Sequence, residues 1–230
     1  MHMKIDTHTH SMGISLCSRI SYERLIDSKK SLGYDGAILT NHCQSHYYAP
    51  EMQDQWLECF IKEYNSAAEY AAKRNFKLFF GMEVTLSSPK FADYLLFGLT
   101  ESVLRSVKCC MYNMTQKQLF SFCEDNGMLL IQAHPLRHSD CPSDPAFLHG
   151  LEINCQPNDL IFAEKIVKFA EDAGLFVTCG TDYHHDSMTF RGGMIFDDKA
   201  ETSPDLAAEM RKRRETTLFL EDKTLRIPHR

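Results

Sequence analysis

The chain has 230 residues, 43% of them hydrophobic, and a formal net charge of −6. That length suits one domain with a sizeable core, and no apolar run approaches the roughly 20 residues of a membrane span. Long-range attraction to nucleic acid needs a positive balance, so a nucleic-acid partner is not expected.

Nine cysteines are scattered without a Cys-x-x-Cys pair. Irregular spacing in a chain of this length favours reduced thiols over a disulfide framework. The chain runs from Met1 straight into a predicted strand, without the basic-then-apolar pattern of an export signal. The expectation is a single cytoplasmic domain over residues 1–230, with no membrane association.

Met3–Asp6 is the first predicted strand. A helical stripe of Tyr22, Leu25, Ile26, Lys29 and Leu32 follows and stops at Gly33. Gly36–Thr40 is the next strand, and Trp56, Phe60, Tyr64, Ala67 and Ala71 form the next stripe. Strands are then predicted at Lys77–Met82 and Tyr94–Phe97. Thr115 with Gln118 reads as a capping box opening a helix that ends at Gly127. Met128–Gln132 and Leu151–Asn154 are strands. A stripe of Phe162, Ile166, Phe169, Ala170 and Ala173 stops at Gly174, ahead of the strand Leu175–Cys179. Glycine just past a helix suits the left-handed turn that ends it. The basic run Arg211–Arg214 closes a further helical stretch, where cations suit the dipole.

Repeated strand–helix units predict right-handed crossovers and a parallel sheet. Seven strands suit a closed or nearly closed barrel. An open doubly wound sheet is the rival, but Gly-x-Gly-x-x-Gly and Gly-x-x-x-x-Gly-Lys are both absent.

Chemistry-bearing residues sit at the ends of these strands. His8 and His10 are two apart, so in extended chain both imidazoles point the same way. His42 follows the second strand, and Glu83 follows the third. His134 precedes Pro135, which fixes the turn. Asp182 and His184 repeat the two-residue spacing after Gly180. Singly, each reads equally well as a surface or structural residue. Together, on one face of a barrel, they would form a multinuclear metal site. Mixed imidazole and carboxylate ligands suit zinc, manganese or iron. Cys43 and Cys179, beside the motifs, read as core residues.

Such clusters acidify a bridging water and stabilise an in-line displacement, chemistry that serves phosphate esters. Covalent routes find no support. Cys-x5-Arg, Asp-x-Asp after a strand and Gly-x-Ser-x-Gly are all missing.

In order, Asp-x-His-x-His, Thr-Asn-His, Gly-x-Glu, His-Pro and Gly-Thr-Asp-x-His span residues 4–184. This series resembles the signature of the PHP superfamily, the polymerase and histidinol phosphatase domains. Gln132–Arg137 and Arg191-Gly192-Gly193 further resemble its small stand-alone members. The resemblance implies a distorted seven-stranded β/α barrel of TIM-like form, with two or three divalent transition metals at its C-terminal face. It also implies the ligand sets. His8, His10, Glu83 and Asp182 would hold the first metal, Glu83 and His134 the second, and His42 and His184 the third.

The chain departs from the pattern in three places. Gly13 and Ser15 stand where fuller members carry an acidic residue or histidine. Asn41 replaces a common aspartate, and Phe97–Thr100 lacks the histidine that follows the fourth strand in trinuclear members. The second and third sites therefore look one ligand short, to be completed by water, His46, Asp93 or His185. Arg137 and Arg191, close after His134 and His184, are the candidates for binding a phosphate, with Arg19 weaker. His2, His138, His149 and His229 lack a motif.

The expected function is hydrolysis of a small-molecule phosphate monoester by a metal-bridging hydroxide, with Glu83 and Asp182 as catalytic carboxylates. Rival readings are a metallohydrolase of another ester or an amide, and a degenerate module that binds metal without turnover.

Overall fold

Every predicted apolar run forms a strand, but the strands do not all run the same way. The computed structural model describes residues 2–45, 50–87, 90–108, 110–197 and 199–229. In chain order the described residues form β1 (His2–Thr9), α1 (Tyr22–Ser31), β2 (Gly36–Leu39), β3 (His42–Cys43), α2 (Gln53–Ala72), β4 (Lys77–Leu86) and β5 (Ala92–Phe97). Then come α3 (Glu101–Ser106), α4 (Gln116–Asp125), β6 (Leu129–Gln132), β7 (Gly150–Asn154), α5 (Pro157–Leu160), α6 (Ala163–Ala173) and β8 (Phe176–Gly180). The chain ends with β9 (Gly192–Asp197), α7 (Ser203–Lys212), β10 (Glu215–Leu220) and β11 (Lys223–Pro228).

The helices start and stop as the sequence dictates. Thr115 and Gln118 close both halves of the capping box on α4. Gly174 ends α6 at φ 70°, a conformation that costs a glycine little. The basic run ends α7, where Arg211 donates to the Met128 carbonyl and Arg213 to the Ile195 carbonyl. These cations tie the helix to the sheet. The stripes of α1 and α2 bury Leu25, Ile26, Ala67 and Ala71 against Ala37 and Leu39 of β2. Full burial of a leucine or isoleucine contributes about 1.5–3 kcal/mol.

The sheet runs β11-β10-β9-β1-β2-β4-β5-β6-β7-β8, with β3 beside β4. Beyond its last strand, the chain returns to β1. Thr9 pairs in parallel with Tyr183. The Tyr183 N–H donates to the His8 carbonyl at 3.2 Å, and the His10 N–H to the Tyr183 carbonyl at 3.0 Å. The result is a nearly closed, barrel-like sheet in a mixed α/β domain.

Two expectations are corrected. Among the described residues the sheet has eleven strands, so the TIM-like count of seven is not confirmed. β9, β10 and β11 add antiparallel to the outer edge of β1, in a region without site motifs. Nor is the sheet parallel throughout, because β5 runs antiparallel to both β4 and β6. β4 extends to Leu86, leaving only residues 87–91 before β5. A parallel return needs a crossover of about a dozen residues or more, so the chain turns straight back.

One member of the α1 stripe is charged. Lys29 is fully buried. Its Nζ lies 2.6 Å from Asp6 Oδ2 and donates to Thr181 Oγ1 at 2.8 Å. The Tyr183 ring lies beneath it at 4.0 Å. Asp6 in turn accepts from the His8 N–H at 3.2 Å, the Thr181 N–H at 3.0 Å and the Thr181 hydroxyl at 2.5 Å. This pair joins β1 to the segment after β8.

Lys29→Met should strand the Asp6 carboxylate and cost about 3–5 kcal/mol. Urea denaturation would read this as a lower midpoint. The double variant Asp6→Asn/Lys29→Met should recover part of the loss, since no charge is left unpaired. An unchanged midpoint in Lys29→Met would contradict the role.

Candidate metal centre

Strand direction gathers the ligands at one end of the barrel. β1 carries His8, with His10 directly after its end, and Asp182 and His184 follow β8. The two-residue strand β3 sets His42 opposite Glu83 of β4 in register. His134 follows β6. All seven sequence-predicted ligands fall within three overlapping clusters.

The first cluster is His8, His10, Glu83 and Asp182, all buried. His8 Nε2 lies 3.2 Å from Glu83 Oε2 and 3.4 Å from Asp182 Oδ1. His10 Nε2 lies 3.3 Å from each of the same two oxygens. A tetrahedral zinc with bonds of about 2.0–2.1 Å separates its ligand atoms by about 3.3 Å. The four nitrogen–oxygen separations thus match the ligand spacing around a single cation. His8 Nε2, His10 Nε2 and Glu83 Oε2 are also buried without a hydrogen-bond partner among the described residues. Orphaned buried polar atoms need an explanation, and a shared cation supplies one.

The other nitrogens of these rings are occupied. His8 Nδ1 meets Glu152 Oε1 at 2.8 Å, His10 Nδ1 meets Ser15 Oγ at 3.2 Å, and His184 Nδ1 meets the Asp182 carbonyl at 2.7 Å. Donation from Nδ1 fixes the tautomer and leaves the Nε2 lone pair for a metal.

Glu83 faces two ways. Its Oε1 lies 3.2 Å from His134 Nε2, whereas its Oε2 faces His8 and His10. Glu83, His134 and Asp93 form the second cluster, with the Thr85 hydroxyl donating to Asp93 at 2.6 Å. Asp93 therefore stands where the second site looked one ligand short. β5 is reversed, so its start and not its end reaches the metal face. A ligand sought at Phe97–Thr100 was sought at the wrong end.

The third cluster is His10, His42 and His184. The His42 and His184 rings stack against His10 at centroid distances of 4.4 and 4.3 Å. Cys17 Sγ lies 3.1 Å from His184 Nε2. His185 belongs to no cluster and meets Ser187 instead. His46 lies outside the described residues.

Several residues that hold the site carried no motif. Glu152, fully buried on β7, meets His8 with one oxygen and accepts from the His134 N–H with the other at 3.0 Å. A glutamate in the middle of an apolar strand was the available signal. Asn41 is not a missing ligand. Its Oδ1 accepts from the Ser11 N–H at 2.8 Å and the Ser15 hydroxyl at 2.9 Å, bracing the loop after β1. Cys43 and Cys179 are buried in the core.

The two expected phosphate-binding arginines part ways. Arg137 lies at the site, with Nη2 donating to Asp159 Oδ2 at 2.5 Å and Asp182 Oδ2 at 2.9 Å. Gln156 donates to the same Asp182 oxygen at 2.9 Å. Arg191 instead pairs with Glu221 and Asp222 between β10 and β11. Arg19 is exposed on a cleft of about 560 Å³ that it shares with Cys17, Gln156 and His184.

Proximity shifts the titrations. Burial alone would lower the His8 imidazole, but the Glu152, Glu83 and Asp182 carboxylates carry it well above the ordinary value. Burial also opposes the charged form of His42, yet Glu83 and Cys17 raise it to about 10. His134 and His184 are raised against burial too, by Glu83 and by Cys17 with Asp182. His10 goes the other way, pushed well down by burial and the neighbouring His184 and His42. Burial would raise Glu83 and Asp182, but the surrounding histidines hold both well below the carboxylate range.

Two outcomes are expected. A ligating imidazole must be neutral, whereas the carboxylates and Cys17 raise His8, His42, His134 and His184 above the ordinary imidazole value and so favour their charged forms. Metal uptake should therefore expel protons, and affinity should climb with pH toward the His42 value of about 10. Titration calorimetry in two buffers of different ionisation enthalpy would count the protons, and a count of zero would refute the coupling. Glu152→Gln should weaken metal binding about 10–100-fold by releasing the His8 tautomer. Competition with a chelating dye would measure it, and wild-type affinity would refute the role.

No family model and no curated protein matches the chain. Solved structures do. PsfC from Pseudomonas syringae superposes with a TM-score of 0.66 at 17% identity, over 95% of this chain and 91% of its own. A two-domain protein from Bacteroides vulgatus containing a predicted PHP-like metal-dependent phosphoesterase gives 0.57 at 16% identity, over 100% of this chain. The chain spans 65% of that protein. An amidohydrolase from Chromobacterium violaceum, solved with bound sulfate and no metal, gives 0.61 at 14% identity, over 95% and 98%. At these identities the likeness is one of fold. The chain shares the fold of these proteins, and the histidines and carboxylates of its motifs gather at one end of the barrel-like sheet.

Proposed function

We propose that the protein is a cytoplasmic metal-dependent phosphoesterase that hydrolyses a phosphate monoester on a small molecule. The observation that carries this reading is Glu83, which turns one oxygen to the His8, His10 and Asp182 set and the other to His134 in the cluster with Asp93. Two neighbouring cation sites sharing a carboxylate suit in-line displacement at phosphorus. When bound, such cations stabilise the phosphoryl oxygens and acidify water. Zinc, manganese and iron all suit this donor set.

The chain's own residues divide the remaining work. Arg137 and Gln156 fix one oxygen of Asp182, so that its other oxygen faces His8 and His10. Asp182 is held ionised, which suits a ligand and not a proton donor. The proton for the leaving oxygen is assigned to His185, which lines the cleft with its Nδ1 beside the Ser187 hydroxyl. Arg19 offers the cleft a guanidinium suited to bidentate contact with phosphate. The cleft's size fits a small molecule better than a nucleic-acid strand. None of the eight described cysteines is in a disulfide, in keeping with a reducing compartment.

The test is phosphate release across a panel of small phosphomonoesters with zinc, manganese or iron added. Turnover of at least one monoester, lost on chelation and restored by metal, is expected. Arg19→Ala should lower kcat/KM about tenfold to a hundredfold with metal content unchanged. Faster cleavage of diesters or single-stranded nucleic acid would refute the substrate class. Turnover of amides alone would refute the reaction type. Metal binding without any turnover would leave a non-catalytic module.

A further inference from the structure

The His42 and His184 cluster has a sulfur atom beside it that no motif announces. Cys17 Sγ lies 3.1 Å from His184 Nε2, and the thiol is also hydrogen-bonded to His42. Because His184 Nδ1 donates to the Asp182 carbonyl, the Nε2 lone pair is what faces the sulfur. His10 stacks between the two rings, but its own Nε2 belongs to the first cluster.

The position of Cys17 is imposed by backbone. The Ser18 hydroxyl bonds the His10 and His184 carbonyls at 3.2 Å each. The Arg19 N–H donates to the His184 carbonyl at 2.9 Å, and the Met12 N–H to the Ile20 carbonyl at 2.8 Å. The loop is thus pinned to the ends of β1 and of the segment after β8 on either side of the thiol.

We infer that Cys17 is a metal ligand, whose thiolate completes a cation site with His42 and His184. A tetrahedral zinc with Zn–S near 2.3 Å and Zn–N near 2.0–2.1 Å separates sulfur from nitrogen by about 3.5 Å. Widening the 3.1 Å contact to that span requires a small rotation of one exposed side chain. A thiolate among imidazoles makes this site softer than the other two and selects zinc or iron over manganese and magnesium. Cys17 and His184 both line the cleft, so a cation held there would be reachable from it. The assignment rests on the metal reading above and names a ligand that reading lacked.

Cobalt(II) reconstitution tests it, because cobalt reports sulfur and nitrogen ligands in separate bands. The full chain loaded with cobalt should show a thiolate-to-cobalt charge-transfer band in the near ultraviolet, besides the visible ligand-field bands. Cys17→Ser should lose the charge-transfer band and one ion per chain while keeping the ligand-field bands of the first cluster. Cys17→His should recover the ion without the charge-transfer band. Zinc should slow iodoacetamide modification of Cys17 at least tenfold, read by peptide mass, and chelation should reverse this. A charge-transfer band that persists in Cys17→Ser, or equal modification rates with and without zinc, would overturn the inference alone. Failure of cobalt to bind at all would overturn the metal reading with it.

Discussion

A buried ammonium–carboxylate contact fixes the distance between the two halves of the metal centre. His8 and His10 come from the first strand, and Asp182 and His184 come from beyond the eighth. No covalent link joins these segments. Asp6 and Lys29 join them inside the barrel, where an unpaired charge would cost several kcal/mol. The strength of such a contact in low dielectric is matched by its intolerance of misplacement. Asp6 accepts from backbone and side chain on both sides, so it sets the relative height of the two segments. The spacing of the candidate ligand atoms follows from that height. The aspartate of the first motif thus works as a brace, and the histidines beside it line the candidate metal centre.

The ring of braces outside the ligands has the same logic. Glu152, Ser15, Arg137 and Gln156 each satisfy a ligand's second polar atom and leave the first aimed inward. Two ligands are also held in unusual backbone. His134 and Asp182 have φ of 29° and 53°, values that favour glycine and cost other residues about 1–3 kcal/mol each. The apolar core of β6, β7 and β8 offsets this strain. Such strain at two ligand positions is expected where the site and not the fold dictates the backbone.

Much of this was legible in the sequence. Period-2 ligand spacing, apolar runs ending at the motifs and glycine stops all expressed local rules, and local rules survive folding. What failed depended on direction and distance. The reversal of β5 hinged on where β4 ended, since a few more residues of strand removed the room for a crossover. That reversal brought Asp93 to the metal face. Cys17 was invisible because its chemistry comes from His42 and His184, which lie far along the chain. Lys29 sat on an otherwise apolar stripe, where a buried lysine cannot be told from one that reaches solvent. Arg191 followed a motif closely, yet its strand carries it toward the β10–β11 turn and its acidic pair.

The seam between β1 and the segment after β8 also shapes how the molecule is made. Thr7 Oγ1 donates to the Cys179 carbonyl, a partner 172 residues further along the chain. At about 5–20 residues per second, a ribosome needs roughly 10–30 s to supply that partner. For that interval β1 has β2 as a neighbour while its other edge, with Met3 and Ile5, waits for β9. An open apolar edge is prone to pair with another chain. His8 and His10 wait as well, because Asp182 is among the last ligands to emerge. A nascent chain thus holds half of a cation site and an open strand edge at the same time. Closure of the seam completes the candidate cation site, and pairing with β9 then covers the edge.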